Sequence, residues 1–171
     1  MTYKNRVEWL KCMNKPGIAI EIGVGCGDFS LEILKNTSFD LISVDCWEKN
    51  EFNNTPEISL KQTVQKLSPF IDRSIIIKSY SNNKLTDRFK DNSIDLIYID
   101  GDHFYDGVKN DLEIWFPKIK KGGVFGGHDY SDYRGWGVKK AVSEFFQNKN
   151  INIIPAGHPG DGNQPSWFLE K

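Results

Sequence analysis

At roughly 100–200 residues per domain, a chain of 171 residues is a single domain, 1–171, long enough to bury one sizeable core. Apolar residues make up 39% and charged residues 26%, with a mean hydropathy of -0.49, which excludes a disordered tail and a membrane-embedded protein. Twenty-two basic against 23 acidic side chains leave a net charge of -1, so no overall field draws the chain onto nucleic acid or an anionic bilayer, and a small-molecule partner is expected.

Three cysteines, Cys12, Cys26 and Cys46, form an odd count with no CxxC pair, which argues against a disulfide framework or structural zinc. The start, MTYKNRVEWLKCMNK, lacks the apolar core of a signal peptide, and no stretch approaches the ~18 apolar residues that span a bilayer. A cytoplasmic, reducing location is expected.

In chain order, GIAIEI (17–22) reads as a strand, GVGCGD as a glycine turn, and FSLEILKN as a helix with Phe29, Ile33 and Leu34 on its apolar face. DLISVD (40–45) is the second strand. A polar loop to Pro56 leads into a helix over 57–70, with Ile58, Leu60, Val64 and Leu67 as its apolar positions, and SIIIKS (74–79) is the third strand. IDLIYID (94–100) is the clearest strand; a helix from Asp106 to Pro117 and the strand GGVFGGHD (122–129) follow. A helix over Val138–Phe146 precedes two consecutive strands, INIIP (151–155) and SWFLEK (166–171), which must pair antiparallel. Apolar strands separated by helices indicate an α/β, doubly wound parallel sheet.

The glycines at 23, 25 and 27 let the backbone approach a ligand between a strand and a helix N-terminus. Asp45, 18 residues beyond Gly27, closes the next strand, where an acid can hold both hydroxyls of a ribose, so an adenosine-type ligand is implied. The spacing departs from the dinucleotide fingerprint G-x-G-x-x-G. Trp47 is placed to cover an adenine face.

EIGVGCG, with Asp45 as the ribose acid, resembles the first motif of class I S-adenosylmethionine (SAM)-dependent methyltransferases. VDCW (44–47), IDLIYIDGDHFYDGVKNDLEIW (94–115) and GGVFGGHDY (122–130) are similar to a small-molecule O-methyltransferase branch that includes macrocin O-methyltransferase and cephalosporin hydroxylase-like enzymes. The resemblance implies a Rossmann-like seven-stranded sheet, order 3-2-1-4-5-7-6, with strand 7 antiparallel. It implies cofactor contacts from Glu21, Gly23, Val24, Gly25, Gly27, Phe29, Asp45, Cys46, Trp47, Ser79, Tyr80, Ser81 and Asp100. In metal-dependent relatives such as catechol O-methyltransferase, acids at the ends of the fourth and fifth strands hold the ion, which here implies Asp100, His128 and Asp129 as ligands for Mg²⁺ or Mn²⁺. His128 stands where several relatives carry Asp.

Asp100, Asp102, His103, His128 and Asp129 all follow strands that open onto one crevice. His103 or Asp102 could act as the base, since an imidazole of near-neutral pKa can take a proton from a hydroxyl. Asp111 and Tyr105 are read as structural. The expected reaction is methyl transfer to a hydroxyl of a small polar acceptor, sugar or phenol-like; a NAD-dependent oxidoreductase and a catalytically silent SAM-binding protein are the alternatives. Only 1–15, 48–56, 130–136 and 156–165 are free to cover an acceptor, which points to a pocket that is shallow or completed in a homodimer.

Overall fold

Strands rich in isoleucine, leucine and valine pair in parallel where helices cover both faces of the sheet, and this dictates the layering. The computed structural model describes residues 3–13, 15–49, 54–147, 149–159 and 162–171. Residues 1–2, 14, 50–53 and 160–161 of the segments expected to be free to cover an acceptor lie outside the described residues. The strands are β1 (Gly17–Ile22), β2 (Phe39–Asp45), β3 (Ser74–Lys78), β4 (Ile94–Ile99), β5 (Ile119–Gly127), β6 (Asn152–Ile154) and β7 (Ser166–Glu170). They form one seven-stranded sheet in the order β3-β2-β1-β4-β5-β7-β6. β1 to β5 run parallel, and β7 is antiparallel to both β5 and β6, as expected.

Helices α1 (Arg6–Leu10), α2 (Asp28–Asn36) and α3 (Pro56–Leu67) cover one face; α4 (Asn83–Thr86), α5 (Tyr105–Trp115) and α6 (Val138–Phe145) cover the other. The strand alternation feeds both cores. Leu96 and Tyr98 of β4 join Trp9, Phe29, Ile33 and Leu34 on the first face, while Ile97 and Ile99 join Leu112, Trp115 and Val142 on the second. In α5, Val108, Leu112 and Trp115 recur at helical spacing, and Pro117 lies in the 3₁₀ turn that ends it. Among the described residues no helix is long and apolar enough to cross a membrane.

Three local expectations need correction. In α3 the buried positions are Pro56, Ser59, Thr63 and Leu67, whereas Ile58 and Val64 are 55% and 51% exposed. Thr63 Oγ1 donates to the Gly25 carbonyl at 3.0 Å, so the small polar stripe, not the aliphatic one, fits against the glycine loop. α3 also gives way at Ser68 to a 3₁₀ turn instead of running to 70. α1 and α4, absent from the expected elements, are too short for a periodic signal and are held by caps: Asn5 Oδ1 accepts the Glu8 N–H at 2.9 Å and Asn82 Oδ1 the Leu85 N–H at 3.0 Å.

The strand order reverses between β1 and β4, which sets the loops after these strands side by side at the carboxyl edge. Beyond the strands the pairing continues: Asp100 N–H donates to the Ile22 carbonyl at 2.7 Å and His128 N–H to the Ile99 carbonyl at 3.0 Å. The residues expected at the site therefore share one edge.

Candidate active site

The glycine loop is shaped by contact with its neighbour. Gly23 has φ +84, and a Cβ there would overlap the Asp100 carbonyl and lie 2.5 Å from Gly101 Cα, so only glycine lets the two loops meet. Gly27, also left-handed, begins α2. Asp45 fastens this loop: Oδ2 accepts the N–H groups of Val24 and Gly25 at 2.8 and 2.9 Å, and Oδ1 accepts that of Trp47 at 2.6 Å. A carboxylate offers about four lone-pair sites, so about one is left for a ligand hydroxyl where two ribose contacts were expected.

Several residues expected to touch a cofactor lie beneath this surface instead. Trp47 is 2% exposed, and its indole N–H donates to the Gly25 carbonyl at 2.8 Å, which makes it a buttress of the loop and not an adenine cover. Phe29 is buried against Tyr98, with ring centroids 4.3 Å apart, and Val24 is buried with its N–H on Asp45. Glu21 is 1% exposed and accepts from Ser30, which in turn meets Ser43 at 2.9 Å.

Burial pushes the Glu21 carboxyl up to about 8, despite the Ser30 hydrogen bond. Its unfolded value is 4.5, so the folded protein keeps a proton that the unfolded chain loses as pH rises. Stability then falls by up to about 1.4 kcal/mol per pH unit between those values. Glu21→Gln is expected to flatten that slope, with variant and wild type converging below pH 4.5; urea unfolding at pH 4, 6 and 8 measures it.

On the β2 and β3 side, Cys46, Ser79 and Tyr80 line one cavity of about 380 Å³ together with Glu48, Lys78 and Asn82. Ser81 does not join them. Its hydroxyl donates to Asp111 and accepts the Trp115 indole N–H at 2.8 Å, so it ties the loop after β3 to α5. Asp111, buried in this knot and pushed up to about 7 by that burial, is structural as expected.

Two carboxylates, two imidazoles and a guanidinium meet at the ends of β4 and β5. Asp129 takes φ 54, a left-handed turn, and its Oδ2 lies 2.7 Å from His103 Nε2 and 3.2 Å from His128 Nδ1. Asp100 Oδ1 lies 3.8 Å from His128 Nδ1, and its Oδ2 lies 3.5 Å from Arg6 Nη1. Burial alone would raise the Asp129 carboxyl, but the hydrogen bonds from His103 and His128 hold it far below the usual carboxylate range. Burial lowers the basicity of His103, and Asp129 more than offsets this, leaving the imidazole raised. Burial raises Asp100 despite His128 and Arg6.

The donor atoms of Asp100, His103 and Asp129 all lie within 4.8 Å of one another. The expected metal set contained His128 in place of His103. The turn at Asp129 carries its carboxylate to the loop after β4, and His128, 7% exposed, stands behind the pair with Nε2 buried and without a hydrogen-bond partner among the described residues. Asp102 is not at the centre either: its Oδ1 accepts the Phe104 N–H at 2.8 Å at the start of α5. The Trp136 ring covers His103, with centroids 4.6 Å apart. Arg6 is the residue that sequence reasoning missed; the one available signal was the N-cap at Asn5 ahead of Arg6, Trp9 and Leu10.

Residues 20–130 match a family of proteins described as a methyltransferase domain, a span that contains the glycine loop, Asp45 and all the strand-end groups except Arg6. The chain belongs to that family. The methyltransferase domain has the class I SAM-dependent fold, similar to that of an rRNA methylase from Streptococcus thermophilus (TM-score 0.66, 15% identity, 97% of this chain and 93% of that one). It also resembles a Streptococcus mutans protein described as a methyltransferase and solved in complex with SAH (TM-score 0.66, 15% identity, 96% and 94% of the two chains). An uncharacterized protein of Acanthamoeba polyphaga mimivirus is 34% identical over 146 residues, 81% of this chain and 61% of that protein, and a Sinorhizobium fredii protein is 27% identical over 71% of this chain and 14% of its own length. The chain thus spans less than two thirds of these relatives.

Proposed function

We propose that the domain transfers the methyl group of SAM to a hydroxyl of a small polar acceptor, sugar or phenol-like, with His103 as the base and Asp129 as its orienting partner. The observation that carries this is the 2.7 Å contact between His103 Nε2 and Asp129 Oδ2, placed beside the glycine loop by the β1–β4 reversal. Bound SAM would supply an electrophilic methyl group in line with the acceptor oxygen, its sulfur leaving with the C–S electron pair, and His103 would take the hydroxyl proton. Positioning and proton removal then supply the rate. A near-zero net charge favours a small acceptor over nucleic acid.

The grouping of Asp100, His103 and Asp129 supports a second reading. Two carboxylates and an imidazole suit Mg²⁺ or Mn²⁺, and these three residues would hold it. A bound ion would lower the pKa of an acceptor hydroxyl. One experiment tests both readings: SAH is titrated calorimetrically, and SAM turnover is followed over a panel of sugars and phenols, with chelator and then with Mg²⁺ or Mn²⁺ restored. Micromolar or tighter SAH binding and turnover that survives chelation support the base reading. Turnover lost to chelator and restored by the ion supports the metal reading. No heat with SAH would remove the cofactor, and binding without turnover on any acceptor would mark a silent SAM-binding protein.

A further inference from the structure

Lys78, Lys84 and Arg88 line the cavity of about 380 Å³ at the ends of β2 and β3, and among the described residues Glu48 is the only carboxylate that lines it with them. Glu48 is already engaged, because it accepts the Tyr80 hydroxyl. The side chains of the three cations have no ion pair or hydrogen bond among the described residues, whereas Lys66, Lys118, Lys120 and Lys139 each have an aspartate at 2.6–3.9 Å. The lining thus holds an excess of positive charge in a chain whose net charge is -1. Other groups fix its walls. Ser79 N–H donates to the Asp45 carbonyl at 2.9 Å, Ser81 ties the loop after β3 to α5, and Asn82 Oδ1 caps α4, from which Leu85 adds an apolar side chain to the lining.

In the SAM reading the adenosine lies at Asp45, beside this cavity, and adenine and ribose are both uncharged. The one carboxylate of SAM belongs to its amino-acid end, so the cofactor leaves the three cations unanswered. The acceptor does not answer them either, because His103 lies across β1 from the cavity, at the ends of β4 and β5. A phosphomonoester carries about −1.5 to −2 charge at pH 7 and three acceptor oxygens, which matches several donors better than a single carboxylate does. An arginine fork can hold two of those oxygens, and lysines counter the charge as points. We infer that this cavity is a second ligand site, which takes the phosphate group of a small molecule other than SAM on Arg88, Lys78 and Lys84. The contrast with the cofactor rests on the SAM reading above; the unmatched charge does not.

The test titrates pyrophosphate calorimetrically at fixed ionic strength, with and without saturating SAH, into wild type, Lys84→Gln, Arg88→Gln and, as a control, Lys118→Gln. Both cavity positions are exposed, so these variants keep the fold. Wild type is expected to bind at about millimolar concentration or below, with SAH present or absent. Lys84→Gln and Arg88→Gln each weaken this about tenfold or more, while Lys118→Gln stays within about twofold. No saturable binding overturns the proposal, and so does equal binding by all four proteins, which would mark ions on the surface at large. Displacement of pyrophosphate by SAH would give the cavity to the cofactor alone and also overturns it. A single-stranded RNA oligonucleotide that binds more tightly than pyrophosphate and is lost in Arg88→Gln would assign the cations to a nucleic-acid backbone instead. Wild type that binds pyrophosphate in this residue-dependent way but gives no heat with SAH defeats the SAM reading and keeps the phosphate site.

Discussion

Replacing His103 with Ala is expected to lower turnover by about two to four orders of magnitude while SAH affinity stays within about twofold, because the imidazole handles the acceptor's proton and does not hold the cofactor. Its ring is fixed on two sides, by the 2.7 Å contact to Asp129 and by Trp136 stacked at 4.6 Å. Asp129→Asn should give a smaller loss of the same kind: the amide keeps the shape at that position but removes the negative charge that raises His103. Single-turnover rates under saturating SAM, set against calorimetric SAH affinities, separate the effects. A His103→Ala enzyme that turns over at the wild-type rate would show that the proton leaves by another route.

The second large effect is on the fold. Gly23→Ala places a methyl group against the backbone of Asp100 and Gly101, atoms that cannot step aside without parting the loops after β1 and β4. It also forces φ +84 on a residue with a Cβ, which costs about 1–2 kcal/mol by itself. A combined loss of about 4 kcal/mol or more is expected, a fall in Tm of roughly 8–16 °C for a chain of this size, together with loss of SAH binding. Gly25→Ala provides the contrast: φ is +54, but among the described residues nothing lies within 4 Å of the added carbon, so only the backbone strain of about 1–2 kcal/mol applies. Thermal unfolding of both variants measures the difference, and equal Tm losses would show that contact between the loops is not what requires glycine at position 23.

The layering was legible because apolar runs alternate with helices, and the antiparallel end because two strands follow one another with no helix between them; the strand order itself came from the resemblance to class I methyltransferases. The carboxyl edge was legible for the same reason: residues that close parallel strands share one side. Side-chain direction was not. Trp47 and Ser81 sit in loops whose sequence suits exposure, yet each is drawn inward by a hydrogen bond to a distant partner, Gly25 in one case and Asp111 in the other. That His103 joins Asp100 and Asp129 at ligand distance, beside His128 at 3.2 Å from Asp129, depends on the left-handed turn at Asp129, which no periodicity reports. The register of α3 was misjudged because a threonine hydroxyl bonded to the glycine loop outweighed the preference of Ile58 and Val64 for burial. Arg6 lies on a helix of five residues, below the length at which spacing carries information.

The interleaving of β7 between β5 and β6 has a consequence for how the chain is made. During synthesis β6 emerges before β7, yet every ladder bond that joins it to the sheet runs through β7. Until Ser166–Glu170 arrive, β5 is a bare edge, and Phe125 lacks the Trp167 ring that packs 5.9 Å from it. Between the emergence of Gly127 and that of Ser166, β5 therefore offers an unpaired strand edge, the geometry most prone to pairing with a neighbouring chain, until β7 docks on it.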